Sequence, residues 1–358
     1  MAQKRRVLVV GAGLAGVESA LSLSGAGVEV VLIEKEPHLG GHALKIGCKA
    51  APDCQSCHGC LTAETFGRLA ETDLRVLTNT TLMSLVKANG AWKAKIKTEP
   101  AAKEAAGQAP PFPWALPRKA AKKAQEEIDC DAVIVAAGFE VAGAEHRSAI
   151  GYGEFANVTT AWEVEQQLLR ESRITRPSDG TEPKRVAFIQ CVGSRDYEGG
   201  ACSRICCGYA MRLGRWLTAR QGAEVAIFYM DLQNASHNFG ELLALARAEL
   251  RFIRAIPGHA WPKEGGAVAL RYSTEGGGPA LEEEFDLVVL SVGLRPGEKS
   301  EELADLAGLT LNERGFLTDS PQAGLFVAGA AAGPMDMAEV LTQARRKALA
   351  CLDFMARS

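Results

Sequence analysis

Residues 7–20 read Val-Leu-Val-Val-Gly-Ala-Gly-Leu-Ala-Gly-Val-Glu-Ser-Ala, and residues 28–36 read Val-Glu-Val-Val-Leu-Ile-Glu-Lys-Glu. The run from Val7 to Val10 is short, apolar and rich in β-branched residues, the pattern of a buried parallel strand. Gly11, Gly13 and Gly16 follow in Gly-x-Gly-x-x-Gly spacing. Leu14 to Ser24 then reads as a helix, with Ala15 in its first turn, and Val28 to Ile33 as a second strand. Each glycine has a task beside a dinucleotide. The first permits a tight turn, the second lets the backbone approach a pyrophosphate, and the third lets helix and strand pack closely. The pyrophosphate would rest on the helix N-terminus, where free N–H groups favour anions. Glu34 lies 23 residues after Gly11, where a carboxylate can hold ribose hydroxyls. A tight turn without ligand is the plain alternative. The ordered strand, helix, strand and acid argue against it.

The same stretch could be mistaken for a targeting segment. Lys4, Arg5 and Arg6 precede it, and only Glu18 and Glu29 are charged between Val7 and Ile33. The glycines break a run that an export signal or membrane span would continue, so a βαβ unit without a span is expected. The 358 residues leave room for about two domains. Apolar residues make up 47% and charged residues 23%, which excludes disorder over most of the chain. A net charge of −3 and 6% aromatics give no case for nucleic acid or an acidic membrane surface.

Further strands end in small residues. Asp131 to Gly138 is one, closing on Ala137 and Gly138, and Leu287 to Gly293 repeats the pattern. Gly324 to Gly329 is another, followed by Ala330, Pro334, Asp336 and Met337 and then a helix over about 338–355. The chain resembles flavoproteins of the two-dinucleotide-binding kind, which often carry a glycine pair such as Gly40-Gly41 after the ribose acid. That resemblance favours FAD over NAD and adds Lys35 and His42 to the candidate FAD contacts. It implies an α/β, thioredoxin-reductase-like fold. A discontinuous FAD domain, residues 1–150 and 298–358, would surround an inserted, degenerate nucleotide-binding-like domain, residues 151–297. Residues 98–129, rich in Pro, Ala and Lys, are expected to form a flexible excursion. Their basic patch, Arg118, Lys119, Lys122 and Lys123, reads as a solvated face, with docking of an acidic partner as the alternative.

Ten cysteines are too sparse for a disulfide-stapled domain, yet eight are grouped. Cys48, Cys54, Cys57 and Cys60 form one group and Cys191, Cys202, Cys206 and Cys207 another, which suggests metal chemistry in a reducing compartment. Cys191 ends the strand Val186 to Cys191, and no glycine fingerprint follows it. Cysteines stand in its place. A helix from Cys202 to about Gln221 would put Cys202 and Cys206 on one face. Four converging thiolates suit an iron–sulfur cluster, with zinc, redox thiols and buried structural cysteines as alternatives. Asp231, after the next strand, stands where an NAD ribose acid would lie, so weak nucleotide binding remains open.

The strings Phe-Ile-Gln-Cys-Val-Gly-Ser-Arg-Asp (188–196) and Cys-Ser-Arg-Ile-Cys-Cys (202–207) resemble the A-type subunits of heterodisulfide reductases, the HdrA family, and their relatives in sulfur and quinone-interacting complexes. So do Val-Gly-Leu-Arg-Pro (292–296) and the stretch ending at Asp336-Met337. The resemblance implies FAD plus a [4Fe–4S] cluster on Cys191, Cys202, Cys206 and Cys207. It also implies a cytoplasmic electron-transfer role within a larger complex, in some complexes with electron bifurcation. Partners would be other iron–sulfur and flavin subunits, reached in turn by carriers such as ferredoxin or NADH. Larger family members carry ferredoxin-like modules that this sequence lacks, and Gly329-Ala330 replaces the Gly-Asp usual in flavoproteins of this fold.

The first group exceeds the one or two cysteines that the family shows near the flavin. Its C-x2-C-x2-C spacing suits a second [4Fe–4S] cluster, with structural zinc or flavin-facing redox thiols as alternatives. His42 and His58 read as polar neighbours. The rival function is a stand-alone NAD(P)H- or sulfide-linked disulfide oxidoreductase, and a third is a zinc-stabilised scaffold. Cys130 and Cys351 read as small buried apolar residues, and His146, His237 and His259 have no partner pattern. Trp92, Trp114 and Trp261, in polar or Pro-rich surroundings, are expected at subunit contacts.

Overall fold

The structure is a computed structural model and describes residues 5–88, 90–100, 124–144, 149–195, 202–233, 238–276 and 278–357. The chain divides into two compact units. The first holds residues 1–44, 58–140 and 296–358, and the second holds 45–57 and 141–295. The crossings fall at 140/141 and 295/296, against the expected 150/151 and 297/298, and the second unit also claims 45–57.

The first unit opens with β1 (Arg6–Val10), α1 (Leu14–Gly25), β2 (Glu29–Ile33), α2 (Gly59–Ala70) and β3 (Arg75–Leu77). An antiparallel sheet of β4 (Thr80–Ala88), β5 (Ala91–Thr98) and β6 (Ala124–Cys130) follows, then β7 (Ala132–Val135). The chain leaves at β8 (Glu140–Val141). The second unit comprises β9 (Val158–Thr160), α3 (Ala161–Glu171), β10 (Arg185–Val192), α4 (Cys206–Gln221), β11 (Glu224–Phe228), α5 (Phe239–Glu249) and β12 (Arg251–Ile253). It continues with β13 (His259–Pro262), β14 (Val268–Tyr272), β15 (Leu281–Phe285), β16 (Leu287–Val292) and β17 (Leu294–Arg295). The return to the first unit brings α6 (Ser300–Ala307), β18 (Thr310–Leu311), β19 (Leu317–Thr318), β20 (Leu325–Val327) and α7 (Met337–Arg357).

Each unit is built on a five-stranded parallel sheet, ordered β20-β7-β1-β2-β3 in the first and β12-β11-β10-β16-β9 in the second. Strand side chains alternate between faces, and this explains the unbroken apolar runs. Val7 and Val9 pack with α1 and α7, while Leu8 and Val10 pack with β4 and β5. In the second unit Val186 and Phe188 face the helices, and Ala187 and Ile189 face β13–β15. Both faces of each sheet are covered, so polar alternation would have been costly. Glu18 is the buried charge on α1. It is 1% exposed, and its carboxylate accepts from Arg68 at 3.1 Å and Arg345 at 2.7 Å, tying α2 and α7 to α1.

Two expectations fail here. Residues 124–129 are not part of a flexible excursion but, with Cys130, form strand β6, fully paired along β5. Alternating residues explain it, with Ile128 and Cys130 buried among charged neighbours. Residues 101–123, with the basic patch and Trp114, lie outside the described residues, as do His146 and His237. Trp92 is not at the surface. It is 7% exposed, packs in the core, and its Nε1–H donates to the Ala323 carbonyl at 2.9 Å. Among the described residues no helix is long and apolar enough to cross a membrane.

Candidate functional site

The glycine turn lies at the carboxyl end of β1, the central strand of its sheet. Gly11 has φ +100°, and a Cβ there would lie 2.4 Å from the Ala136 carbonyl oxygen. A Cβ at Gly16 would lie 1.8 Å from the Gly11 carbonyl oxygen. Those two glycines are consumed by packing of the turn, α1 and β7. Gly13 differs, since a Cβ there would meet nothing within 4 Å. It also caps α1 with no side-chain bond to the helix's first N–H groups. Open space in front of such amides fits a pyrophosphate.

The neighbouring loop completes the cradle. The Gly40 N–H donates to the Ala12 carbonyl at 2.8 Å, and Gly41 approaches Gly13. His42 stacks on Phe139, next to Gly138, with ring centroids 4.4 Å apart. Glu34 is buried, and its carboxylate accepts from the Ala12 N–H at 2.7 Å and the Glu36 N–H at 2.9 Å. Burial raises its pKa, against those two bonds. The acid expected at a ribose therefore also clamps the glycine turn. From the C-terminal return, Gly329 comes so near α1 that a Cβ would lie 2.5 Å from the Ala15 Cβ. Ala330 is buried beside it, and the Gly329 N–H donates to Gln343 at 2.6 Å.

Other candidates have different work. The Glu339 N–H donates to Asp336 Oδ1 at 2.8 Å, and the Asp336 N–H to Glu339 Oε2 at 3.0 Å. Asp336 is thus an N-cap of α7 in a reciprocal capping box, a use that the expected flavin contact did not foresee. Lys35 is exposed, 3.9 Å from Glu36. Ala137 is exposed at the end of β7, and Pro334 is half-buried. Met337 Sδ receives the Thr62 hydroxyl at 4.0 Å.

In the second unit the equivalent position, between the central strand β10 and α4, carries the second cysteine group. Cys191 adopts φ +62°, Arg195 φ +57° and Arg204 φ +63°. Such left-handed backbone in non-glycine residues costs energy and gathers at functional sites. Arg204 is why the helix begins at Cys206 and not at the expected Cys202. Cys202 precedes it in the loop, its Sγ accepting the Arg204 N–H at 3.3 Å. Cys206 and Cys207 occupy the first turn of α4, and the Cys206 thiol donates to the Val292 carbonyl at 3.5 Å.

A staple missed in the sequence holds the loop. The Ser194 and Ser203 hydroxyls are 2.9 Å apart, and Ser203 Oγ accepts the Leu294 N–H at 2.8 Å. A Cβ at Gly293 would lie 1.9 Å from Ser203 Oγ. This gives Gly293 its reason, because only a glycine leaves room for the serine pair. The position expected for an NAD ribose acid is also occupied. Both oxygens of Asp231 receive the Arg195 guanidinium, and Gln233 adds a bond at 3.0 Å.

The thiols are strongly perturbed. Burial pushes Cys206 well above the ordinary thiol range and Cys207 up to about 11, and nearby thiols add to both shifts. Burial raises Cys191 as well, opposed by Arg195. Neighbouring buried thiolates need a cation to offset their charge, so this donor set fits iron or zinc. Among the described residues no three His, Cys, Asp or Glu side chains are already gathered as a ligand set.

The first group is dispersed in exposure. Cys48, Cys54 and Cys60 are exposed and Cys57 is half-buried. Cys48, Cys54 and Cys57 fall in the second unit and Cys60 in the first. Ser56 and His58 have φ of +47° and +61°. Between Cys48 and Ala50, Lys49 is 1% exposed and pairs with fully buried Glu165 at 2.7 Å. Cys130 and Cys351 are buried thiols pushed up to about 12 by desolvation.

Comparison with known proteins bears on the fold and on what the chain is similar to. Residues 5–175 match the family model of pyridine nucleotide-disulphide oxidoreductases. Over 95% of its length the chain is 29% identical to the A-type subunit of an H(2):CoB-CoM heterodisulfide,ferredoxin reductase from Methanothermobacter thermautotrophicus. It is 28% identical, over 94% of its length, to an A-type iron-sulfur subunit of the Methanopyrus kandleri CoB--CoM heterodisulfide reductase. The chain spans 62% of the length of each. Among solved structures, T. acidophilum thioredoxin reductase superposes with a TM-score of 0.60 at 16% identity, covering 99% of this chain and 100% of that one. The Lactococcus lactis thioredoxin reductase gives 0.59 at 15%, with the same coverage. At those identities the structural likeness speaks for the fold alone. Along nearly its whole length the chain is thus similar to A-type subunits of heterodisulfide reductases, and its fold is the thioredoxin-reductase-like, two-dinucleotide-binding-domain fold.

Proposed function

We propose that this chain is a cytoplasmic electron-transfer subunit of a heterodisulfide-reductase-like complex. It would hold FAD at the glycine cradle of the first unit and a [4Fe–4S] cluster on Cys191, Cys202, Cys206 and Cys207. One observation carries this reading. Where the second unit's β10 should open onto a glycine turn for a nucleotide, it opens onto four cysteines, and the ribose acid position is spent on Arg195. FAD exchanges electrons in pairs or singly, and a cluster exchanges one at a time, so a chain holding both joins two-electron to one-electron chemistry.

The chain's residues supply the binding. Gly11 and Gly16 close the turn, Gly13 and the α1 N-terminus would receive the pyrophosphate, and Glu34 would take the ribose. Gly40, Gly41 and His42, with Ala137 and Gly138, would line the flavin side, as would Gly329, Ala330, Pro334 and Met337. Ser194, Ser203 and Gly293 hold the cluster loop in shape. For Cys48, Cys54 and Cys57 of the second unit the readings are a second cluster, a structural zinc or redox thiols. Other iron–sulfur or flavin subunits would connect the chain to carriers such as ferredoxin or NADH, and bifurcation is the finer form of the proposal.

Anaerobic purification followed by counts of iron, sulfide, zinc and flavin tests it. One FAD with about eight irons supports both clusters, and about four irons that vanish in Cys206→Ser but not in Cys57→Ser support the second group alone. Intact FAD without iron overturns the reading in favour of a disulfide oxidoreductase. Bifurcation fails if the assembled complex delivers every electron to a single acceptor.

A further inference from the structure

A charge pair stands at the mouth of the cysteine loop of the second unit. Arg195, four residues after Cys191, turns its guanidinium onto Asp231, which follows β11. Its Nη2–H donates to Asp231 Oδ2 at 2.9 Å, and its Nη1–H is closer still to Oδ1. This fork fixes the guanidinium in place. Cys191 lies near the end of β10, and Asp231 follows β11, which pairs in parallel with β10 up to Ile189–Phe228, so the ion pair and Cys191 stand at one carboxyl edge of the sheet. There the Arg195 charge opposes the rise that burial imposes on the Cys191 thiol. Asp231 acts with opposite sign on Cys191 and Cys207. Arg254 also acts on Asp231, from β12's end of the sheet. Side-chain exposures of 28% for Arg195 and 45% for Asp231 let water screen the pair in part. Cys191, Cys206 and Cys207 are buried, where a neighbouring charge is screened least.

We propose that Arg195 and Asp231 are positioning residues that set the reduction potential of the cluster held by Cys191, Cys202, Cys206 and Cys207. Arg195 favours the more negative, reduced state and Asp231 offsets it. The inference rests on the cluster reading given above. It treats an ordinary-looking ion pair as two opposed charges beside one redox centre.

The test is a potentiometric titration of the anaerobically purified full chain, followed by EPR. Each cluster takes one electron, and each dithionite ion, going to two sulfites, serves two clusters. Arg195→Gln lowers the midpoint and Asp231→Asn raises it. A residue that only shapes the loop would move both midpoints the same way, and that result, or two unmoved midpoints in iron-replete variants, overturns the proposal. If Arg195→Gln purifies without iron, Asp231→Asn decides alone, a rise supporting the proposal and a fall or no change overturning it. Absence of iron from the unaltered chain would sink the cluster reading and this proposal with it. Iron present with unshifted midpoints would sink only the proposal.

Discussion

At the scale of single residues, the three glycines of the first motif are not equivalent. Gly11 and Gly16 face backbone oxygens at 2.4 and 1.8 Å from a would-be Cβ, so any side chain there displaces the turn. Gly13 faces open space. Gly16→Ala should therefore destabilise the first unit by several kcal/mol, in the range of overpacked cores. Gly13→Ala should leave thermal unfolding of the flavin-free protein within about 0.5 kcal/mol, typical of a neutral surface change. It should nevertheless cost flavin, because the added methyl occupies the space left for the pyrophosphate. The ratio of flavin to protein absorbance, read beside the unfolding midpoint, checks both. Equal flavin content in Gly13→Ala and the unaltered chain would remove Gly13 from the site.

Among the elements, helix ends show the clearest link from sequence to energy. Thr160 caps α3, its hydroxyl accepting the Glu163 N–H at 3.2 Å, while Glu163 accepts the Thr160 N–H at 2.7 Å. Burial pushes the Glu163 pKa up, but this bond and those from the hydroxyls of Thr160, Thr159 and Tyr152 outweigh it, so the net shift is downward. A carboxylate whose folded pKa is depressed stabilises above its ordinary range and loses that contribution as pH falls through the folded value. Glu163→Gln should cost about 1 kcal/mol at neutral pH, as caps do. The difference from the unaltered chain should shrink as pH drops below the ordinary carboxylate range. Urea unfolding at several pH values measures it, and a difference that grows in acid would contradict the assignment. Asp336 and Glu339 repeat the motif on α7, which is why Asp336 is structural first.

On the scale of the whole molecule, residues 45–57 leave the first unit's sequence neighbourhood and belong to the second. The fully buried Lys49–Glu165 pair anchors that excursion. Glu165 also accepts the Gly47 N–H at 2.7 Å, and Lys49 Nζ lies 5.4 Å from the centre of the Tyr209 ring. Breaking a buried pair by removing one partner costs about 3–5 kcal/mol, since the survivor is left uncompensated. Lys49→Met should show that loss in chemical unfolding. Lys49→Met with Glu165→Gln, which keeps an acceptor for Gly47, should recover most of it. A double variant as unstable as the single one would mean that the pair itself, and not the stranded charge, supplies the stability.

The sequence alone determined what depends on local pattern. Apolar runs a few residues long could only be strands covered on both faces, and Gly-x-Gly-x-x-Gly between such a strand and a helix leaves one workable turn. The exchange of glycines for cysteines after Ile189 was equally legible, because thiols announce their chemistry wherever they stand. Tertiary structure alone decided whatever depends on residues distant in the chain. It took Glu34 to the amide of Ala12, Asp231 to Arg195, Gly293 to Ser203 and Lys49 to Glu165, pairings separated by 22 to 116 positions with no periodic signal. It also paired residues 124–130 with β5 and buried Trp92, because a strand among charged neighbours forms only when another strand satisfies its backbone. Local patterns are set by steric and hydrophobic constraints within a few residues, whereas these pairings exist only after the sheets have brought their ends together.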